Sequence, residues 1–183
     1  MGILRKLREW REGADGTLKG PALKTESLVN DYHFAGSFDG SDPDERLNTA
    51  LNSVTTDDTL YLEKAEYQGD YTISTDGLLL VGTGGGANLN DTAFDNGVDI
   101  EAAGVEIRNV DFRGRDGTIF APQVLITHCS RVNHTIESDE CAVVSSMRSD
   151  VTFSSDTENG LAGLLWAESS VTDNGNNTLG NIT

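Results

Sequence analysis

A chain of 183 residues is long enough for one domain with a buried core, and 37% of it is hydrophobic. Thirteen basic against thirty acidic side chains give a net charge of −17, which argues against binding nucleic acid or any other polyanion. No run of 18 apolar residues occurs, so no spanning helix is expected, and charges break up the N-terminal apolar residues in a way unlike a secretory leader.

Residues 1–12, MGILRKLREWRE, predict a short basic amphipathic helix. Ile3, Leu7 and Trp10 share a face, Leu4 lies beside them, and Arg5, Arg8 and Arg11 occupy the rest. Gly13 ends it. Such a helix can pack on its own domain, lie on an anionic membrane surface, or dock into a partner. Residues 1–24 hold six basic side chains against three acidic, a net of +3 that leaves −20 for the rest of the chain. This opposition of charge favours docking. Residues 13–33 mix Gly, Pro and polar residues and read as a linker, with one strand or turn near Leu28 and Val29.

Residues 34–183 read as one strand-rich domain. Asp42 is a good N-cap, Pro43 fits the first helical position, and Asp44 and Glu45 favour the dipole of the first turn. Leu47, Ala50, Leu51 and Val54 then form one apolar stripe. In the TLYLE segment that follows, Leu60 and Leu62 face one way and Thr59, Tyr61 and Glu63 the other. Leu60, Leu80 and Ile100 recur at steps of 20, and Val110, Val132, Val151 and Val171 recur at 22, 19 and 20 inside the segments RNVDF, SRVNH, SDVTF and SSVTD. A period near 20 with Gly, Asn or Asp turns predicts a parallel β-helix, with about six rungs over residues 57–183. The two cysteines, Cys129 and Cys141, are spaced unlike a rung and are expected as buried free thiols.

FAGSFDGSDPDERLNTAL, then LYLEKAEYQGDYTI, then LLLVGTGGG resembles the N-terminal signature of right-handed parallel β-helix proteins of the pectin-lyase-like type. That resemblance spans residues ~34 to ~112. It implies an all-β, right-handed solenoid whose first rung is closed by the capping helix of residues 42–54. The family includes polysaccharide lyases and hydrolases, viral tailspikes and tail fibres, so the resemblance speaks for fold more than for function.

The hydrolase motifs N-T-D, D-D, G-H-G and R-I-K are absent from this chain as a set. For a lyase, Glu101, Glu106 and Asp111 are the carboxylates to test, because they alternate with core positions and so point outward. The cluster Asp111, Arg113, Arg115, Asp116 is read as a solvated turn. His128, Cys129 and His134 lack a fourth ligand, His33 stands alone, and the acidic stretch Asp39, Asp42, Asp44, Glu45 lacks the order of a calcium loop. No metal and no cofactor are expected. The acidity suits a protein working in molar salt, which points to a virus of halophilic archaea, with an ordinary acidic extracellular protein as the alternative. The expected role is a virion structural protein: a spike, tail fibre or capsid turret, most simply a homotrimer. Its N-terminus would hold it to other capsid or tail proteins, and host surface glycan is a candidate ligand. A depolymerase acting on host glycans and a cell-surface adhesin are the alternatives.

Overall fold

The computed structural model describes residues 11–12, 18–19, 31–83, 92–165 and 168–180, the first two pairs by their backbone alone. In chain order the elements are β1 (Arg11–Glu12), β2 (Leu18–Lys19), β3 (Tyr32–Phe34), α1 (Pro43–Leu51), β4 (Thr59–Tyr61), β5 (Ala65–Tyr67), β6 (Tyr71–Ile73), β7 (Leu79–Val81), β8 (Thr92–Phe94) and β9 (Val98–Ile100). There follow β10 (Glu106–Arg108), β11 (Asp116–Ile119), β12 (Leu125–Thr127), β13 (Asn133–Ile136), β14 (Ala142–Val144), β15 (Asp150–Phe153), β16 (Glu158–Gly163), β17 (Ser170–Asp173) and β18 (Asn176–Leu179).

The chain divides into two units, residues 1–30 and 31–183. In the first, β1 and β2 pair antiparallel. The helix expected over residues 1–12 therefore fails at Arg11 and Glu12, whose backbone groups bond across a ladder instead. Ile3, Leu4, Arg5, Leu7, Arg8 and Trp10 lie outside the described residues, as do Leu28 and Val29. The linker expected over residues 13–33 is interrupted by β2, and β3 already belongs to the second unit, which starts at Asp31 rather than at residue 34.

The second unit is a parallel β-solenoid of about six turns with one α-helix. Eight strands stack in the order β18-β16-β14-β12-β10-β7-β4-β3, and six in the order β17-β15-β13-β11-β9-β6. β5 and β8 start a third face, which continues as single bridges from Ala93 to Asp111, Ser130 and Met147. Strands of three to four residues suffice because each contributes one or two side chains to a column running through the stack. Leu60, Leu80, Ile107, Ile126, Val143 and Ala162 form one such buried column, and Ile73, Ile100, Ile119, Ile136 and Phe153 another. Tyr71, Tyr67, Phe94, Phe112 and His134 run through the interior as a chain of rings 4.9 to 6.1 Å apart.

The period is not constant. Leu60 stacks on Leu80 as expected, but Leu80 stacks on Ile107, and Ile100 belongs to the six-stranded sheet. Val151 and Val171 are partners, whereas Val151 pairs on its other side with His134 rather than with Val132. Corners of unequal length shift the local segments out of phase, while the buried columns stay aligned because a slip by one residue would turn every apolar side chain outward.

The corner leading into the eight-stranded sheet has one recurring feature. Asp57, Gly77, Gly104, Gln123, Glu140 and Asn159 each stand two places before the paired strand position and each has φ between 57° and 70°. The next residue then turns inward, so that Leu78, Val105, Val124 and Cys141 form a further buried column. After these strands, Asn109, His128, Ser145 and Leu164 make a second left-handed corner at φ 51° to 57°.

Asp42 caps α1 by accepting from Glu45 N at 2.9 Å, and Glu45 reaches back to Ser41 N at 2.8 Å. Leu47 and Ala50 are fully buried, Val54 is buried, and Leu51 packs partly covered against the core. Asp44 does more than favour the dipole. Its Oδ1 accepts from Gln68 N at 2.7 Å, from Gly69 N at 3.0 Å and from the Tyr71 hydroxyl, which ties α1 to the turn between β5 and β6.

Gly117 lies directly beside His134, and a Cβ there would stand 2.4 Å from Val98 O and 2.6 Å from His134 Nε2. Gly117→Ala is expected to cost about 2 kcal/mol by overpacking, read as a lower urea midpoint.

Candidate functional site

The densest charge constellation among the described residues surrounds Asp111. A carboxylate in the interior requires partners, and Asp111, fully buried, has them. Arg131 donates from Nε to Oδ1 at 2.9 Å and from Nη2 to Oδ2, a bidentate pair, while Arg113 N donates to Oδ1 at 3.0 Å. The Arg113 guanidinium pairs with Glu66 and lies 3.9 Å from Asp95. Arg131 and Arg148 occupy equivalent left-handed corner positions one rung apart, and Arg113 stands at the same corner of the rung before. Arg148 is exposed.

This placement revises the carboxylates singled out from the sequence. Asp111 does not point outward: it is held inside by two arginines. Glu106, on β10, pairs with Arg108 two residues on, and Glu101 is exposed just past β9. The three therefore lie on three different stretches of the rung, and Arg115 and Asp116 are exposed. What alternation along the chain does not reveal is the corner between positions, which re-aims the side chains that follow it. Arg131 was missed because its partnership with Asp111 spans 20 residues, a pairing that only the register supplies.

His33 is not alone, as the sequence had implied. It faces inward on β3, with its ring 5.9 Å from that of Phe38 and Nε2 3.3 Å from Asp58 Oδ2. Asp31, His33 and Asp58 bring three ligand-type atoms within 4.8 Å of one another, the one such group among the described residues. Asp58 is buried; burial alone would raise its pKa, but hydrogen bonds from Thr55 N at 2.6 Å, Thr55 Oγ1 at 3.0 Å and Asp31 N at 3.2 Å prevail, with His33 adding attraction, and hold it below the usual value.

The remaining candidates have structural places. Cys129 and Cys141 are free and buried, and each continues a column begun by valine: Val110 above Cys129, Val124 above Cys141. Burial pushes the Cys129 thiol up to about 12, so it is neither a nucleophile nor a ready ligand. His128 is exposed and hydrogen-bonds Thr127 Oγ1 at 2.9 Å. His134 is buried, with Nε2 donating to Val98 O at 3.1 Å and Nδ1 unpaired.

The two large sheets present unlike outer faces. On the six-stranded sheet Thr118, Thr135, Thr152 and Thr172 form one row, and Asp116, Asn133, Asp150 and Ser170 the next. Carboxylates alternate there with neutral donors: Asn133 Nδ2 bonds Asp116 at 2.6 Å and the Ser170 hydroxyl bonds Asp150. On the eight-stranded sheet the outward positions are Tyr32, Phe34, Tyr61, Leu79, Val81, Leu125, Ala142, Val144 and Leu161, with Glu106 and Arg108 as the charged pair. Tyr32 is 69% exposed, Phe34 48%, Tyr61 40% and Leu161 39%. Of the late apolar residues, Leu164 is also exposed, Leu165 is core, and Trp166 lies outside the described residues.

Comparison with protein-family models, with curated proteins and with solved structures finds no match to this chain.

Removing the Asp111 carboxylate strands Arg131, so Asp111→Asn is expected to cost about 3 kcal/mol in urea unfolding. His134 sets a pH dependence. Burial lowers its pKa from 6.5 to about 4 in the folded chain, so the unfolded state takes up the proton first. Its contribution is intact above pH 6.5 and declines by about 3 kcal/mol as pH falls to 4. In His134→Gln the loss of stability over that interval is expected to shrink by this amount.

Proposed function

We propose that this chain is a non-enzymatic virion structural protein of a halophilic archaeal virus, a right-handed β-helix of the pectin-lyase-like type that assembles as a homotrimer. Its acidic solenoid projects into brine as part of a spike, tail fibre or capsid turret. The basic N-terminal segment attaches it to other capsid or tail proteins.

The observation that carries the assembly is the outer face of the eight-stranded sheet. In a chain of net charge −17, two copies repel wherever their acidic surfaces meet. The outward row from Tyr61 to Leu161 bears one glutamate and one arginine, which neutralise each other, between stretches of apolar side chains. It is a surface on which copies can meet without opposing charge, and burying its apolar side chains favours contact. High ionic strength weakens the remaining repulsion, since the screening length is roughly 3 Å at 1 M salt.

A glycan-directed reading has one observation in its favour. Arg113, Arg131 and Arg148 share one corner of an otherwise acidic solenoid, and Arg148 there is exposed. In that reading the chain grips or cleaves an acidic host polysaccharide, with Glu101, Glu106 and Asp111 drawn from neighbouring copies. Release of unsaturated sugar products, lost in a Glu101→Gln, Glu106→Gln double variant, would favour it over the structural role.

Light scattering on a sizing column in molar KCl should return three times the chain mass, and Leu161→Asp with Val144→Asp should reduce it to one. A wild-type monomer would overturn the trimer; an assembly indifferent to both substitutions would move the contact to another face.

A further inference from the structure

We propose that Asp31, His33 and Asp58 bind one first-row divalent cation of the zinc, cobalt or nickel class, linking the outermost strand β3 to the turn before β4. This site is independent of the virion reading.

The argument starts from two polar residues at positions where later rungs are apolar. His33 occupies the inward column that continues as Leu60, Leu80, Ile107, Ile126 and Val143. Asp58 occupies the column that continues as Leu78, Val105, Val124 and Cys141, and it is only 5% exposed. Both departures fall on the same end of the stack and face each other across 3.3 Å. Two polar inward groups on one end of a stack are costly unless they are satisfied together.

The protein satisfies them only in part. Asp58 takes one donor on Oδ1, Asp31 N, and two on Oδ2, Thr55 N and Thr55 Oγ1. A carboxylate has about four acceptor sites, so one remains on Oδ1. His33 Nε2 is buried and forms no aligned hydrogen bond, although Asp58 Oδ2 is near. If Nε2 carries a proton, that proton is poorly directed at the carboxylate; if it carries a lone pair, the lone pair faces negative charge. A cation between them resolves both cases. Asp31, the third member, is exposed and its carboxylate has no partner among the described residues, so it is free to close on an ion.

The donor set selects the class. One imidazole nitrogen with two carboxylates suits zinc and its first-row neighbours, whereas calcium and magnesium favour oxygen alone. Three protein ligands leave water to complete the shell. The consequence is mechanical: β3 pairs only with β4 among the described strands, and an ion held by Asp31 and His33 on one side and Asp58 on the other adds a second attachment for that edge.

The test uses the full chain after chelator treatment. Zn2+ is titrated by calorimetry and Co2+ by its visible absorption, with melting temperature followed in parallel. The expected result is saturable binding of one equivalent and a rise in Tm, both lost in His33→Gln and Asp31→Asn and both kept in His128→Gln. Asp58 is left in place because it also caps the Thr55 turn. Should His33→Gln fail to fold, Asp31→Asn, at an exposed position, carries the test. Absence of binding in the wild type, or one-equivalent binding that survives in the folded Asp31 or His33 variants, overturns the site.

Discussion

A left-handed residue two places ahead of each strand in the eight-stranded sheet sets the register of everything that follows it. At Asp57, Gly77, Gly104, Gln123, Glu140 and Asn159 the backbone reverses its sense for one residue, and the next side chain is delivered to the interior. Only two of the six are glycine, so the other four accept a conformation that costs an L-residue of order 1 kcal/mol or more. Stacking sustains them. Gly77 N bonds Ala103 O, Gly104 N bonds Pro122 O, Gln123 N bonds Asp139 O and Glu140 N bonds Glu158 O, so each corner is hydrogen-bonded to the next. A corner that failed would misplace its own strand and the ones stacked on either side.

The interior shows how tightly neighbouring rungs constrain one another. His134 fits because its partner on β11 is Gly117, and the ring fills the space that a Cβ would claim. Both cysteines stand where a neighbouring rung has valine, which accounts for their burial without any redox role. Asp111 belongs to the same logic with opposite sign: a charge admitted to the stack at the expense of two arginines committed to it from their corners. Such pairs contribute more to the uniqueness of a packing than to its free energy.

Corners and outer faces, released from these demands, carry what differs between one solenoid and another. The threonine and aspartate rows of the six-stranded sheet keep a hydrated surface, with carboxylates separated by Asn133 and Ser170. The eight-stranded sheet turns aromatic and aliphatic side chains to the same outside. One molecule thus offers a face that stays in solvent and a face suited to leaving it.

By itself the sequence determined the existence of α1, its cap at Asp42 and its buried stripe, since these depend on neighbours within one helical turn. It also determined that short strands recur at a spacing near that of a solenoid turn. It misjudged which recurrences stack: Leu60 and Leu80 are partners, yet Ile100 lies on another sheet and Val132 is out of phase with Val151. The physical reason is that corners vary in length, and periodicity along a chain cannot separate a longer corner from a shifted strand. Contacts across a rung were decided by tertiary structure alone. Asp111 with Arg131, and His33 with Asp58, are 20 and 25 residues apart, and neither pair shares a helix face or a hairpin that would announce it. Only the stacked register places them together.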